Sequence, residues 1–312
     1  MAESKKIATR DSYGATLVEL GREDDRLFVL DADLADSTKT GVFRKEFPER
    51  HINCGIQEAN MVDVAAGIAS CGNRVFCSSF AMFATGRAYE QIRNTVAYSR
   101  LNVTIAASHA GISVGEDGAS HQCIEDLNLM RGIPGMIVLN PSDDVETRAA
   151  VRAAYEYDGP VYIRLGRLAV PVINDPETFK FEIGKGITLR EGSDVTLVAT
   201  GLEVAETVEA AKMLAADGIE AQVIDMHTIK PIDQELIVAA AKKTGKIVTI
   251  EEHSVIGGLG SAVAEVLCEK APTPLLRIGV QDVFGESGPA LELLHKYELD
   301  AEGIYKKVKS WL

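Results

Sequence analysis

The feature that most constrains the fold is an alternation of short apolar runs with amphipathic segments. In the first half of the chain, the apolar runs are RLFVLDADL, NRVFCSS, LNVTIAAS, GMIVLNP and PVYIRLG. Helical patterns lie between them, at residues 58–71, 81–98 and 143–156. Nearly continuous apolar strands separated by helices are typical of a parallel sheet that helices cover on both faces.

The alternation is interrupted at residues 169–192, AVPVINDPETFKFEIGKGITLREG, which are rich in proline, glycine and charge. It then resumes with DVTLVAT, EAQVIDMHTI, KIVTIEEHS and PLLRIGV, each followed by a helical pattern. We therefore predict an α/β chain of two doubly wound domains with mainly parallel sheets. The predicted bounds are residues 1–170 for the first domain, 171–192 for a linker and 193–312 for the second domain.

Composition excludes several classes of function. The net charge of −14 argues against a nucleic-acid partner. The chain starts with the polar stretch MAESKKIATR and has no apolar run long enough to span a bilayer, so we expect neither a signal peptide nor a membrane partner. The five cysteines are odd in number and form no CxxC pair, which favours a reducing, cytoplasmic location.

Polar side chains collect where the predicted strands end. In open α/β sheets, ligands bind beyond the carboxyl ends of the strands. The chain places there Asp31, Asp33, Ser37, Ser78, Ser79, Ser108, His109, Arg164 and Arg167. The stretch HAGISVGEDGASHQ, residues 109–122, follows one of these strands and has the glycine content of a loop. Its two histidines and its acids favour a site for a polar small molecule.

Several motifs resemble those of one enzyme family. In order along the chain they are IATR (7–10), DADLADS (31–37), GIQEANM (55–61), SSFAMFATG (78–86), HAGISVGEDGASHQ and RLGR (164–167). They resemble the pyrimidine-binding domain of transketolases, which depend on thiamine diphosphate, and GEDGASHQ is close to the family's GEDGPTHQ. ATGLEV, IDMHTIKPID, EEHSVIGGLGS and VFGESG resemble the transketolase C-terminal domain. The resemblance covers essentially the whole chain.

The resemblance implies residues that hold the cofactor. Glu58 matches the glutamate that bonds the pyrimidine nitrogen and promotes its imino tautomer. Phe80 and Phe83 match the aromatic slot for that ring, although alone they would be interpreted as core residues three apart on a helix. Asp33 and Leu34 match a loop beside the thiazolium ring and the dimer interface.

The resemblance also implies residues that bind the substrate. Arg10, Ser37, His109 and Arg167 match contacts to a sugar phosphate, which guanidinium groups suit because they bind phosphate through charge-assisted hydrogen bonds. Asp117 matches a residue that bonds a substrate hydroxyl. His121 receives no firm role, and we expect His253, in the second domain, to be structural or to lie at an interface.

One part of the family's site is missing. The family holds the diphosphate through a metal bound by a GDG motif and a later asparagine, and this chain has no such motif. It therefore resembles the C-terminal subunit of a split transketolase. The implied partner is an N-terminal subunit that carries the diphosphate-binding domain and Mg²⁺ or Ca²⁺. We expect a homodimer of this chain at the centre of a heterotetramer, with no metal site in this chain itself.

The predicted function is transfer of a two-carbon ketol unit from a ketose phosphate to an aldose phosphate, as in the pentose phosphate pathway. The β subunit of a 2-oxo acid dehydrogenase has the same two domains, but the loop and the arginines favour phosphorylated sugars. Deoxyxylulose-phosphate synthase is normally one longer chain. A non-catalytic assembly subunit is a further alternative, against which the intact Glu58 argues. The donor and acceptor sugars stay open.

Overall fold

A computed structural model describes residues 5–312, so residues 1–4 of the predicted first domain lie outside the described residues. The described residues contain fourteen strands: β1 (Lys6–Ala8), β2 (Leu27–Asp31), β3 (His51–Asn53), β4 (Arg74–Ser78), β5 (Val103–Ala107), β6 (Ile137–Leu139), β7 (Val161–Arg164), β8 (Ala169–Pro171), β9 (Ile187–Arg190), β10 (Val195–Ala199), β11 (Ala221–Asp225), β12 (Thr228–Lys230), β13 (Ile247–Ser254) and β14 (Leu275–Val280).

The same residues contain twelve α-helices: α1 (Thr9–Glu23), α2 (Ala35–Thr38), α3 (Thr40–Glu46), α4 (Glu58–Ser70), α5 (Tyr89–Gln91), α6 (Asp126–Arg131), α7 (Asp144–Glu156), α8 (Glu203–Ala216), α9 (Gln234–Thr244), α10 (Leu259–Lys270), α11 (Ala290–Lys296) and α12 (Ala301–Trp311). Residues Pro48–Arg50 and Ile112–Val114 form short 3₁₀ turns. The pattern predicted as one helix at 81–98 is instead α5 flanked by wider π-helical turns, Met82–Arg87 and Ile92–Ala97.

The first sheet has seven strands in the order β12-β6-β7-β5-β4-β2-β3. Six of them are parallel, and β12 is antiparallel at one edge. All five residues of β5 are buried, as expected for a central strand with helices on both faces. The predicted α/β fold with mainly parallel sheets is confirmed for this half of the chain.

The second sheet has five strands in the order β14-β13-β10-β11-β9, of which only β9 runs antiparallel to its neighbour. Strand β9 falls inside the segment predicted as a linker, and β8, which pairs with β1, ends at its first residue. The segment predicted as a linker therefore contains short strand residues. A composition rich in proline and glycine is compatible with edge strands, because the backbone groups on one side of an edge strand need no partner strand.

Strand β12 comes from the second alternation but belongs to the first sheet. It pairs with β6, whose free edge would otherwise leave backbone groups without partners. The buried apolar cluster of the first domain also continues into the second, through residues that include Val198, Ile224 and Leu259. The two halves thus share sheet and core across the boundary that composition predicts.

The carboxyl ends of β2, β4, β5 and β7 lie side by side because these strands are parallel neighbours. The polar residues that follow them therefore come together at one edge of the first sheet. Strand β13 of the second domain contacts this edge of the sheet. The Arg164 guanidinium, at the end of β7, donates to the carbonyl of Glu252 in β13 at 2.8 Å. In residues 5–312, none of the helices has the length and apolar character needed to cross a bilayer.

Candidate functional site

The loop of residues 109–122 lies at this edge, and its backbone fits closely against the second domain. His109 and Gly111 have φ angles of 58° and 84°, in the left-handed region. A Cβ on Gly111 would lie 2.3 Å from the Glu252 carboxyl carbon, and one on Gly118 would lie 2.3 Å from the Ser287 hydroxyl. A side chain at either position would force Glu252 or Ser287 to shift, and the positive φ of Gly111 and Gly118 would strain it.

Two side chains hold the loop in place. The Ser113 backbone N–H donates to Glu252 Oε1 at 2.5 Å, across the domain boundary. The Gln122 amide donates to the carbonyls of Ile112, at 3.1 Å, and of Glu286, at 2.8 Å. Glu252 is buried, and this burial raises the pKa of its carboxyl. The second domain therefore supports the loop with a buried acid.

Arg10 and Arg167 form a cationic cluster beside His109. Arg10 Nη1 donates to the Ser37 carbonyl at 2.9 Å and lies 3.4 Å from His109 Nε2. Arg167 Nη1 donates to the Val114 carbonyl at 2.9 Å. Burial, and then the charge of the neighbouring Arg167, acts to lower the pKa of Arg10. Arg167 Nη1 also donates to the exposed Glu116 carboxylate at 3.1 Å, so this guanidinium already binds an anionic group in the free chain.

His109 is neutral at physiological pH. Burial, followed by the charges of Arg10 and Arg167, lowers the pKa of His109 to about 3. A guanidinium only donates, so Nε2 accepts from Arg10 and the ring proton lies on Nδ1, 2.9 Å from the Ser108 hydroxyl. The imidazole is therefore oriented on both sides, and it is buried against the aromatic residues described next.

An aromatic cluster connects His109 with Glu58. The Phe80 ring stacks on His109, with 3.8 Å between ring centroids, and lies 6.2 Å from the Phe83 ring. His121 approaches Phe83 edge-on at 5.2 Å. Phe80 and Phe83 are thus neighbours, and His121 lies beside them; their role at the cofactor stays a prediction.

Glu58 begins helix α4 and is buried. Its Oε2 accepts a hydrogen bond from Arg87 Nη1 at 2.9 Å, and the Arg87 guanidinium lies 4.8 Å from the centroid of the Phe83 ring. Arg87 ends the wide turn Met82–Arg87. Arg87 therefore contacts both Glu58 and Phe83, the two residues that the sequence resemblance assigned to the pyrimidine ring of the cofactor.

The other predicted residues lie on loops around the cleft. Asp33 has a φ of 63° and accepts from the Asn53 amide at 3.0 Å, while the Leu34 backbone N–H donates to Asp31 at 3.2 Å. Asp117 is exposed on the glycine-rich loop. Hydrogen bonds thus hold the Asp33–Leu34 turn, whereas Asp117 extends into solvent.

His253 lies away from the cleft, inside the interface of the two domains. It is fully buried, and this burial lowers the pKa of His253 to about 4. Its Nδ1 lies 2.7 Å from the Ser254 carbonyl, and Nε2 lies 3.9 Å from Asp126. These contacts agree with the structural role expected from sequence.

Sequence reasoning missed Arg87, Glu252 and the role of Gln122. Arg87 stands one residue beyond the motif SSFAMFATG and four beyond Phe83, so helical spacing already placed it on the same face. Gln122 is the last residue of the loop 109–122. Glu252 had no signal, because only the tertiary fold brings β13 under the loop. Across residues 5–312, no three or more His, Cys, Asp or Glu side chains are grouped to hold a metal ion.

Comparison with known proteins agrees with this geometry. The model for the transketolase pyrimidine-binding domain matches residues 5–172, and that for the transketolase C-terminal domain matches residues 184–304. The solved structure of a split-gene transketolase, described as an inactive β4 tetramer, is 56% identical, with a TM-score of 0.90, and the match covers 97% of this chain and 98% of that one.

Curated relatives are of two lengths. The 6-deoxy-6-sulfo-D-fructose transketolase subunit SqwH of Clostridium sp. (strain MSTE9) is 46% identical over 95% of this chain and 92% of its own length. Human transketolase is 39% identical over 97% of this chain, but this match spans only 49% of the human protein. Thiamine diphosphate is the cofactor of this family. The chain belongs to the transketolase family, and it contains the family's pyrimidine-binding and C-terminal domains.

Proposed function

We propose that this chain is the C-terminal subunit of a split transketolase that transfers a two-carbon ketol unit from a ketose phosphate to an aldose phosphate. One observation carries the proposal: an unbroken series of contacts from Arg10 through His109, Phe80 and Phe83 to the Arg87–Glu58 pair. It joins an anion-binding cluster to a buried carboxylate and an aromatic face, which are the two kinds of group that a phosphorylated sugar and an aminopyrimidine require.

The described residues fit one end of thiamine diphosphate. Glu58 offers a buried carboxylate and Phe83 an aromatic face, on which the Arg87 guanidinium lies in the free chain; these groups suit the nitrogen and the flat surface of the pyrimidine. Asp33 and Leu34 line the approach to the thiazolium side. When bound, the cofactor supplies the nucleophilic carbon that takes up the ketol unit. The diphosphate and its Mg²⁺ or Ca²⁺ belong to a partner subunit, since the described residues offer no ligand set for the metal.

Each side chain then has a distinct task. Glu58 holds and moves a proton at the pyrimidine nitrogen, and Phe80 and Phe83 exclude water from the ring. Asp117 bonds a substrate hydroxyl and selects its stereochemistry. The contacts to the sugar phosphate are Arg10, Ser37, His109 and Arg167.

The proposed assembly is two copies of this chain with two N-terminal subunits, in which the copies form a central homodimer. The related β4 tetramer is described as inactive, which supports a need for a second kind of subunit. We further propose a cytoplasmic location and a role in pentose phosphate metabolism. The five cysteines, all free, fit a reducing compartment.

A sulfonated ketose is a second candidate substrate. The relative from Clostridium is a transketolase subunit for 6-deoxy-6-sulfo-D-fructose. A sulfonate carries one negative charge and a phosphate monoester up to two, so a pair of guanidiniums matches the phosphate better. Turnover of fructose 6-phosphate and of the sulfonate by the same preparation distinguishes the two, and a higher kcat/KM for the sulfonate would favour the second candidate.

Calorimetry tests the proposal. The chain is purified alone and with the co-encoded polypeptide that carries a diphosphate-binding domain, and each sample is titrated with thiamine diphosphate and Mg²⁺. We expect tight binding and ketol transfer only in the mixture. Tight binding by the chain alone would contradict the split-subunit proposal, and a mixture that binds the cofactor but accepts no sugar anion would contradict the reaction.

A further inference from the structure

The ion pair between Arg87 and Glu58 has an unusual setting. Glu58 has a side-chain exposure of 1%, whereas that of Arg87 is 53%. The guanidinium therefore reaches the buried carboxylate from the solvent side of the cleft, across the face of Phe83. A single flexible side chain makes both contacts, and its outer part is free to move into water.

A guanidinium and the imino tautomer of an aminopyrimidine share two properties. Both are flat and stack on aromatic rings, and both present an N–H in their plane that a carboxylate can accept. Under the proposed function, the pyrimidine requires the carboxylate of Glu58 and the face of Phe83. Arg87 contacts the same carboxylate and the same face, so the two planar groups compete for one position.

We propose that Arg87 is an internal substitute for the cofactor's aminopyrimidine: it occupies the Glu58–Phe83 position in the cofactor-free chain and swings into solvent when the cofactor binds. This inference rests on the proposed function and deepens it. It assigns to Arg87 a regulation of cofactor entry that differs from catalysis.

The local structure allows this exchange at low cost. A buried carboxylate needs a partner, and removing that partner is strongly destabilising. Arg87 supplies this partner in the cofactor-free subunit. The residues before it, Ala84 and Thr85, are buried, and the Thr85 hydroxyl donates to the Ala81 carbonyl at 2.7 Å. The backbone therefore stays fixed, and only the long side chain has to rotate.

The substitute lowers the apparent affinity for the cofactor. A ligand that binds only one of two states has its affinity reduced by the fraction of molecules in that state. An ion pair whose guanidinium is half exposed, combined with a cation–π contact, favours the occupied state by about tenfold. Removal of the guanidinium should therefore tighten cofactor binding by about tenfold.

The first experiment measures cofactor affinity in the enzyme reconstituted with its N-terminal partner. Thiamine diphosphate and Mg²⁺ are titrated into wild type, Arg87→Met and Arg93→Met, the last a matched control at an exposed arginine nearby. We expect an about tenfold lower Kd for Arg87→Met and no change for Arg93→Met. An unchanged Kd for Arg87→Met would overturn the proposal, and so would a raised one, which would mean that Arg87 stays in place and helps to hold the cofactor.

The second experiment needs neither partner nor cofactor. Urea unfolding of the isolated chain is compared for wild type, Arg87→Met, Glu58→Gln and the double variant. We expect Arg87→Met to lower the unfolding midpoint less in the Glu58→Gln background than in wild type, since the two residues stabilise each other. If the shifts in unfolding midpoint of Arg87→Met and Glu58→Gln simply add in the double variant, the ion pair does not form in the free chain. The proposal that Arg87 substitutes for the pyrimidine would then be wrong.

The two proposals fail in distinguishable ways. If wild type binds the cofactor but Arg87→Met does not bind it more tightly, the substitute is overturned and the proposed function stands. If the wild-type mixture binds no thiamine diphosphate at all, the proposed function fails and the substitute fails with it, whatever the unfolding data give.

Discussion

The two domains meet at the glycine-rich loop and contribute to it in opposite ways. The first domain carries every residue predicted for cofactor or substrate, and its groups at the cleft include two arginines and a histidine. The second carries none of them, yet its buried Glu252 holds the loop from below. The residues predicted for the chemistry and the residue that supports the loop thus lie in different domains, and motifs in sequence are informative mainly about the predicted chemistry.

The largest expected effect lies in the first domain. Replacing Glu58 by Gln should reduce kcat by about 10²–10⁴ in the reconstituted enzyme, because a positioned acid/base group is lost. Rates are measured at saturating cofactor, and circular dichroism checks that the variant is folded. Glu90→Gln, at an exposed acid of helix α5, is the matched control and should leave kcat unchanged. If kcat of the Glu58→Gln enzyme stays within a few-fold of wild type, Glu58 is not the acid/base group, and the assignment of the catalytic residue to the first domain is wrong.

The next effect concerns the cationic cluster. Arg10→Ala and Arg167→Ala should each raise KM for a phosphorylated ketose by about 10- to 100-fold, the equivalent of one lost hydrogen bond between charged groups. KM for a ketose without phosphate should change much less. Arg22→Ala removes an exposed arginine of α1 and should change neither value. Equal losses for both classes of substrate would instead give the two arginines a structural role.

The strand ends in the sequence predicted where a site would lie, because polar residues follow neighbouring parallel strands. Glu58 and Phe83 were assigned by the family resemblance, and their roles stay predictions. The position of β12 was less predictable, since a three-residue strand has too little pattern to indicate which sheet it joins. The bond from Ser113 to Glu252 depends on how two domains pack, which no local pattern encodes. The pair of Arg87 with Glu58 likewise joins residues far apart in the chain.

A smaller effect should come from the second domain. Glu252→Ala removes the acceptor of a buried N–H, which costs about 1–3 kcal/mol of stability. The loosened loop should raise KM for the ketose phosphate by up to about tenfold. Glu252→Gln keeps an acceptor oxygen and should stay close to wild type, and Glu292→Ala alters only an exposed acid of α11. If Glu252→Ala lowers the melting temperature but leaves KM unchanged, the second domain stabilises the fold without positioning the loop.

The smallest effect is a pH dependence of stability that arises between the domains. Asp225, at the end of β11, accepts from the Ser142 hydroxyl of the first domain at 2.8 Å and pairs with buried Glu146. Burial, with a contribution from Asp143, raises the pKa of Asp225 to about 7. Between about pH 4 and 7 the folded chain therefore holds more protons than the unfolded chain, so stability falls as pH rises through this range.

Asp225→Asn should flatten this slope, since one group contributes at most about 1.4 kcal/mol per pH unit. Urea midpoints measured from pH 5 to pH 8 provide the test. Asp217→Asn is the control of opposite sign: hydrogen bonds from Lys309 and Tyr305 lower the pKa of this exposed aspartate, so its contribution is lost only at more acidic pH. A wild-type urea midpoint that rises from pH 5 to pH 7, or an unchanged slope in Asp225→Asn, would contradict the prediction. Either result would show that ionisation of Asp225 does not destabilise the folded chain. The contrast between a first domain proposed to carry the chemistry and a second domain whose buried acids position it would then depend on Glu252 alone.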